Sequence, residues 1–189
     1  GDVDAARLLL DKGADVSRAM ENGATPLCVA CEEGHVDAVR LLLDKGAEVD
    51  RANKRGRTPL DIAKREDHDG VVALLEEHLD SKFPLHAAAR TGDVDAMTQL
   101  LDGGAEVDQT KGDGETPLWT ASLAGRVDAA RLLLDRGADV NRGDDCGQTP
   151  LWVACLKGHV DVARLCLERG ADVNRATEKG TSPLGIAQK

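Results

Sequence analysis

The sequence predicts an all-α solenoid of stacked helix–turn–helix repeats, and two observations support this fold class. All six prolines precede a leucine, and the gaps between them are 33, 25, 33, 33 and 33 residues. A fixed period of about 20–50 residues indicates a stacked repeat architecture. Aromatic residues make up only 2% of the chain, too few for a conventional globular core, so leucine, valine and alanine must do the packing. The prolines are Pro26, Pro59, Pro84, Pro117, Pro150 and Pro183.

Each proline marks the start of a first helix. Proline suits the first helical position because the N–H that it lacks would have no partner there. A threonine before it is an N-cap candidate, since its hydroxyl can accept a hydrogen bond from a free N–H of the first turn. These threonines are Thr25, Thr58, Thr116 and Thr149. Glycines about ten residues later end the first helices, at Gly34, Gly92, Gly125 and Gly158.

A second helix follows, as in HVDAVRLLLDKG at 35–46 and RVDAARLLLDRG at 126–137. Its valines and leucines recur at i, i+3, i+4 and i+7, which is the pattern of one buried face. Neither helix can bury its apolar face alone, so neighbouring copies must cover each other. The charged residues of the outer face are three and four apart, a spacing at which any ion pair is weak, so we interpret this face as a solvated convex surface. They are Asp37, Arg40, Asp44, Asp128, Arg131 and Asp135.

The recurring text GxTPLxxAxxxGHVDxxRLLLDxGADVN resembles the ankyrin repeat over essentially the whole chain. The resemblance implies an L-shaped unit of hairpin, helix, turn and helix. The expected fold class is therefore an all-α solenoid of stacked ankyrin repeats with projecting β-hairpin loops. The family also implies protein binding, through the hairpin tips and the concave face of the first helices.

The repeat spacing predicts one ankyrin array over residues 1–189. The chain starts before a second helix and stops inside a first helix, so we expect a fragment of a longer array. The predicted divisions are a half repeat at 1–19, repeats at 20–52, 53–82, 83–110, 111–143 and 144–176, and a half repeat at 177–189.

The gap of 25 residues between Pro59 and Pro84 is the main departure from the period. The residues missing there correspond to a hairpin, absent at 79–83. Two interpretations follow: one continuous stack with a notch, or two sub-arrays that meet at this point. We favour the continuous stack, because the helices expected at 71–79 and 84–91 both keep apolar residues at stacking positions.

Composition restricts the setting and the partners. A net charge of −10 disfavours nucleic acid as a partner, and no apolar run is long enough to span a membrane. Five cysteines without a spacing framework indicate a reducing, intracellular and cytoplasmic setting. Cys28-x-x-Cys31 suggests redox or zinc chemistry, but the fold context and a second ligand pair are missing, so small buried thiols are the favoured interpretation.

The first candidate binding feature is a tryptophan–leucine stripe on two first helices. Trp119 and Leu123 are four residues apart, and Trp152 and Leu156 repeat them 33 residues later. Aromatic anchors often dominate interfaces. The alternative is that the indole rings fill space between repeats while the two leucines are exposed on the concave face.

The second candidate feature is a basic cluster on one fingertip and the adjacent first helix. Such a cluster suits an acidic peptide and, less well, a phosphate or nucleic acid. A solvated fingertip is the slightly favoured alternative. The predicted partner-binding residues of the cluster are Arg51, Lys54, Arg55, Arg57 and Arg65, beside Lys64.

The third candidate feature has the opposite charge and lies further along the chain. Glu106, Asp108, Asp113 and Glu115 make one fingertip acidic, and Asp144 and Asp145 repeat this on the next. Arg142 lies between them. The groove is then bipolar, and such a pattern orients a partner more than it raises affinity. The predicted partner-binding residues are Asp113, Glu115, Arg142 and Asp145.

The function predicted from these features is a protein–protein interaction scaffold. It is expected to be a monomer that binds another protein or peptide with an acidic segment, and not nucleic acid or membrane. The alternative is a structural spacer or spring within a larger protein. No catalytic triad, phosphate loop or metal-ligand spacing is present, so we predict no enzyme activity and no cofactor.

Overall fold

The computed structural model describes residues 2–112 and 114–188. These residues form twelve α-helices. None of these helices combines the length and the apolar character needed to cross a bilayer. The chain divides into two compact units, and the division falls between Lys82 and Phe83.

Unit 1 consists of two layers of helices. First helices pack on first helices and second helices on second helices, and each pair is joined by a tight turn. Leu27, Val39 and Leu75 are completely or almost completely buried between the layers. The helices are α1 (Val3–Asp11), α2 (Pro26–Glu32), α3 (Val36–Asp44), α4 (Pro59–Arg65) and α5 (Asp69–Lys82).

Unit 2 repeats this arrangement. The first helices α6, α8, α10 and α12 stack in order, and the second helices α7, α9 and α11 stack beside them. Leu118, Leu133 and Val162 belong to its core. The helices are α6 (Pro84–Thr91), α7 (Val94–Asp102), α8 (Pro117–Leu123), α9 (Val127–Asp135), α10 (Pro150–Lys157), α11 (Val160–Glu168) and α12 (Pro183–Ala187).

The predicted helix starts are confirmed. The Thr116 hydroxyl accepts a hydrogen bond from the Trp119 N–H at 3.1 Å, and Thr149 does the same for Trp152 at 3.2 Å. Thr58 forms a reciprocal capping box with Asp61, because the Asp61 carboxylate also accepts from the Thr58 N–H. Each cap satisfies a main-chain donor that the helix leaves unpaired.

The shortened repeat differs in detail from its predicted structure. The second helix, expected at 71–79, begins at Asp69 and runs to Lys82, one residue before Phe83. No glycine or proline interrupts residues 71–82, so nothing stops the helix where a hairpin would otherwise begin. Residues in place of the hairpin therefore extend α5. Continuity of the stack across 79–83 stays a prediction.

Every first helix except α6 follows a five-residue tip, in which the first residue donates its N–H to the carbonyl of the fifth. We number these tips 1 (20–24), 2 (53–57), 3 (111–115), 4 (144–148) and 5 (177–181). The expected hairpin loops are these tight turns, and the described part of the chain contains no β-strand. Tips that follow each other within a unit touch: the Lys54 N–H of tip 2 donates to the Asn22 carbonyl of tip 1 at 3.1 Å.

Glycine at the fourth position of a tip serves this stacking, and alanine variants should show it. Gly23 and Gly56 both have positive φ, so alanine is expected to cost about 1–2 kcal/mol at either position. A Cβ on Gly23 would also lie 2.8 Å from the main-chain nitrogen of Lys54, whereas a Cβ on Gly56 would meet nothing within 4 Å. We therefore expect Gly23→Ala to lose more stability in urea unfolding than Gly56→Ala. Equal losses would show that the tip contact contributes nothing.

Ion pairs on the outer face of the second helices connect neighbouring repeats. The charged residues of this face, such as Asp128 and Arg131, are exposed, and no ion pair among the described residues joins them within one helix. The basic residue that follows α3, α9 or α11 instead contacts an aspartate 34 residues earlier, because side chains at the ends of stacked helices face each other. The pairs are Lys45–Asp11 at 2.7 Å, Arg136–Asp102 at 2.8 Å and Arg169–Asp135 at 2.7 Å.

Candidate functional site

The two tryptophans lie at equivalent places in α8 and α10 and are buried. Trp119 is 6% exposed and Trp152 is 8% exposed, and both belong to a cluster with Val153 and Ile186. The Trp119 indole N–H donates to the Gln148 carbonyl at 3.0 Å, and that of Trp152 donates to the Thr181 carbonyl at 3.1 Å. Each ring therefore ties its own repeat to the next tip, which favours packing over a role as a partner anchor.

His86 occupies the same position in α6. Its Nε2 lies 3.0 Å from the Glu115 carbonyl, so all three side chains bond the main chain 29 residues later. The ring is buried, and this burial lowers the pKa of His86 to about 4. The neutral imidazole with its proton on Nε2 is thus the form that fits both the low pKa and the hydrogen bond to the Glu115 carbonyl. The sequence signal for this shared role is that histidine and tryptophan both carry a ring N–H at the same position of the repeat.

The two leucines of the stripe differ from the tryptophans in exposure. Leu123 is half-buried and packs against the tryptophan cluster together with Cys155. Leu156, in the equivalent place one repeat later, is 42% exposed. We call Leu123, Cys155 and Leu156 the apolar patch. Its two leucines are the part of the predicted stripe that a partner can reach.

Only part of the predicted basic cluster is available on unit 1. Lys54 and Arg55 are exposed at tip 2, and no ion pair of the described residues involves them. Arg57 is half-buried on the same tip. Two other members have partners: Arg51 lies 3.6 Å from Glu48, and Arg65 pairs with Glu66. The adjacent Lys64 pairs with Glu76 at 3.0 Å.

Most acidic residues of the third candidate feature already have partners within unit 2. Glu115 pairs with Lys111 at 2.6 Å, and the Asp108 carboxylate accepts from the Asp139 N–H at 3.0 Å. Asp144 closes its own tip by accepting from the N–H groups of Cys146 and Gln148. These aspartates and glutamates are therefore structural, because their charge already meets an internal donor or cation.

Fewer charged residues of unit 2 are left for partner binding than the sequence suggested. Asp145 and Arg142 are exposed, on tip 4 and just before it. Burial raises the pKa of the neighbouring Asp144 carboxyl, against the lowering effect of its two hydrogen bonds. Asp113, the other predicted member, lies outside the described residues.

The thiols of the described residues do not form a reactive centre. Cys28 and Cys31 are buried side by side in α2, and burial raises the pKa of Cys31 to about 12. Burial likewise raises the pKa of Cys166 to about 11. Both thiols stay protonated at neutral pH, whereas nucleophilic and metal-binding cysteines act as thiolates. No group of three His, Cys, Asp or Glu residues within 2–112 and 114–188 could hold a metal ion.

Family models match nearly the whole chain. The model described as "Ankyrin repeats (3 copies)" matches residues 1–83 and 77–144, and "Ankyrin repeats (many copies)" matches residues 133–187. No curated protein matches the chain.

A solved structure agrees with this assignment. The crystal structure of the human ASB11 ankyrin repeat domain is 32% identical and has a TM-score of 0.54, and the match covers 98% of this chain and 86% of that one. The predicted fold class, an all-α solenoid of stacked repeats, is confirmed by this match. The chain belongs to the ankyrin repeat family.

Proposed function

We propose that this chain is a protein-interaction scaffold that binds a partner through its tips and through the exposed face of its first helices. Ankyrin repeats are generally protein–protein interaction modules. The observation that supports this proposal is the apolar patch. Leu123 is half-buried against the packed tryptophan cluster, and Leu156 is exposed at the equivalent position of the next first helix, so a partner would meet apolar side chains on a packed framework.

The helix position that holds Leu123 and Leu156 carries a charged residue in unit 1, so the apolar patch is specific to unit 2. The residues equivalent to Leu123 and Leu156 are Glu32 and Arg65 in unit 1, and both are exposed there. A framework that tolerates charge at this position does not need leucine for packing. Apolar side chains surrounded by polar ones are the usual composition of an interface core and its rim.

The charged tips supply the second part of the proposal. Tip 2 presents Lys54 and Arg55, and tip 4 presents Asp145 near Arg142. Charges at the rim of an interface steer and orient a partner more than they raise affinity. We propose that tip 2 of unit 1 faces an acidic segment of a partner, and that the apolar patch of unit 2 contacts an apolar segment of a partner.

We also propose that the chain acts without catalysis or cofactor, as a monomer, in the cytoplasm. The ankyrin family is generally a non-enzymatic scaffold. The thiols that have raised pKa values are protonated at neutral pH and are unsuited to nucleophilic work. All five cysteines are free, which supports a reducing compartment.

A pull-down from native lysate tests the scaffold function. We expect the Leu123→Ala/Leu156→Ala double variant to lose at least one protein that the unaltered chain captures. Truncating a residue at the centre of an interface typically costs about 1–2 kcal/mol, or roughly ten-fold in affinity. Trp119 is left intact, because replacing a buried ring would disturb the fold as well as the surface.

The matched control is Leu8→Ala/Leu9→Ala, which truncates two exposed leucines of α1. It should keep the partner, and circular dichroism should show both variants folded. Capture that is unchanged in the patch variant would remove the patch from the proposal. If the unaltered chain captures nothing, the alternative of a structural spacer is favoured.

A further inference from the structure

One side of tip 2 lacks the neighbour that covers other tips. In stacked tips, the third residue of one tip accepts a hydrogen bond from the second residue of the next. The Asn22 carbonyl accepts from Lys54 at 3.1 Å, and the Cys146 carbonyl accepts from Glu178 at 3.0 Å. Tip 2 has no such successor along the chain, because α5 continues to Lys82 and α6 begins at Pro84.

The equivalent acceptor on tip 2 is the Arg55 carbonyl. No hydrogen bond among the described residues reaches it. The space beside it is open: a Cβ on Gly56 would meet nothing within 4 Å. At the covered tips 1 and 4, a Cβ on Gly23 or Gly147 would lie 2.8 Å and 3.3 Å from the next tip. Tip 2 therefore has an unoccupied stacking face with a main-chain acceptor at its centre.

Tip 2 is also held rigid by its own hydrogen bonds. The Asn53 N–H donates to the Arg57 carbonyl, and the Gly56 N–H donates to the Asn53 carbonyl. The Lys54 N–H donates to the Asn22 carbonyl of tip 1. The Asn53 side-chain oxygen accepts from the N–H groups of Arg55 and Arg57, at 2.9 and 3.2 Å. All five N–H groups are satisfied, so the tip offers a ligand only carbonyl oxygens and side chains.

Those side chains are cationic. Lys54 and Arg55 are exposed, and no ion pair among the described residues neutralises them. Asp50, the acid nearest in sequence, pairs with Lys82 at 3.0 Å, and Asp61 is held in the capping box with Thr58. The equivalent second and third residues of tip 5, Glu178 and Lys179, have opposite charges, so the two adjacent cations distinguish tip 2.

We propose that tip 2 binds an acidic turn of a partner protein, in the place that the next tip takes elsewhere. A main-chain N–H of the partner donates to the Arg55 carbonyl, and its Asp or Glu carboxylates pair with Lys54 and Arg55. The proposal rests on the scaffold function above and names the chemistry of the partner. A nucleic-acid strand fits less well, because its phosphodiester backbone brings negative charge but no N–H donor.

Fluorescence anisotropy of labelled cyclic peptides tests this binding on the full chain at low ionic strength. The probe has the turn sequence Asn-Glu-Asp-Gly-Glu, and its neutral match is Asn-Gln-Asn-Gly-Gln. A third peptide carries an N-methyl group on the first Glu, which removes the stacking N–H and keeps the charge. We expect the neutral peptide to bind at least about ten-fold more weakly, and the methylated peptide about five-fold more weakly.

Variants of the protein locate the site. Lys54→Gln/Arg55→Gln should weaken binding of the acidic peptide at least about ten-fold, whereas the matched change Arg175→Gln/Lys179→Gln, at two exposed cations beside and on tip 5, should leave it unchanged. Equal binding of the neutral peptide, no effect of N-methylation or equal losses in both variants would each overturn the proposal. Equally tight binding of a single-stranded oligonucleotide would overturn it as well.

The peptide experiment is separable from the scaffold test. If the acidic peptide fails to bind while the Leu123→Ala/Leu156→Ala variant still loses a captured protein, the tip 2 proposal falls and the scaffold function stands. If no protein is captured but the acidic peptide binds as expected, tip 2 is supported and the apolar patch is not.

Discussion

Replacing Leu133 by alanine is expected to lower the free energy of unfolding of unit 2 by about 2–5 kcal/mol. Leu133 is 0% exposed in the core between α9 and its neighbours. Truncation removes buried apolar surface and leaves a cavity that the stacked helices can fill only in part. Urea unfolding followed by tryptophan fluorescence measures this change, because both tryptophans of the chain, Trp119 and Trp152, lie in unit 2.

The chain supplies a matched control for this variant. Helices α1 and α9 share the sequence VDAARLLLD, in which Leu9 is the counterpart of Leu133. Leu9 is 62% exposed, so Leu9→Ala is expected to change stability by no more than about 0.5 kcal/mol, as measured by circular dichroism. Equal losses from the two variants would contradict the assignment of Leu133 to the core.

Unit 2 is expected to lose about 2 kcal/mol of stability between pH 7 and pH 5 because of His86. Burial lowers the pKa of His86 from its ordinary 6.5 to about 4 in the folded chain. Between these values the unfolded chain binds a proton that the folded chain does not. Stability is therefore fully present above pH 6.5 and falls as the pH drops towards 4, the direction expected for a base held neutral by folding.

The His86→Gln variant isolates this effect. A glutamine amide can still donate a hydrogen bond towards the Glu115 carbonyl, but it does not titrate. Urea unfolding at several pH values should show a shallower loss for the variant than for the unaltered chain. The difference between the two curves, not either curve alone, reports His86, since carboxylates also titrate over this range. Parallel curves would show that His86 does not contribute to acid sensitivity.

Features that depend on a few neighbouring residues could be predicted from the sequence. The helix starts at Pro117 and Pro150 follow from a threonine N-cap and a proline at the first helical position, and both are local effects. The second helices follow from the apolar period, which their core residues confirm. The family assignment was predictable for the same reason, because a motif repeated in one chain is a strong signal.

Features that depend on the next repeat could not be predicted in this way. The sequence left the role of Trp119 open, and only the Gln148 carbonyl of the following tip decides where its ring N–H points. The ion pair between Arg136 and Asp102 spans 34 residues, so a search for partners within one helix misses it. The extension of α5 to Lys82 was missed because the family pattern suggested a helix ending near residue 79.

The two copies of VDAARLLLD show where the limit lies. Local propensity and the apolar period make both copies helical, from Val3 to Asp11 and from Val127 to Asp135, so the sequence was sufficient for the element and its amphipathic face. Burial differs completely: α1 has no buried residue, while Ala129, Ala130 and Leu133 of α9 are buried. Identical side chains have different environments because burial requires neighbours on both sides of a helix. Among the described residues α9 packs between α7 and α11, whereas α1 packs against α3, and only the tertiary structure decides this.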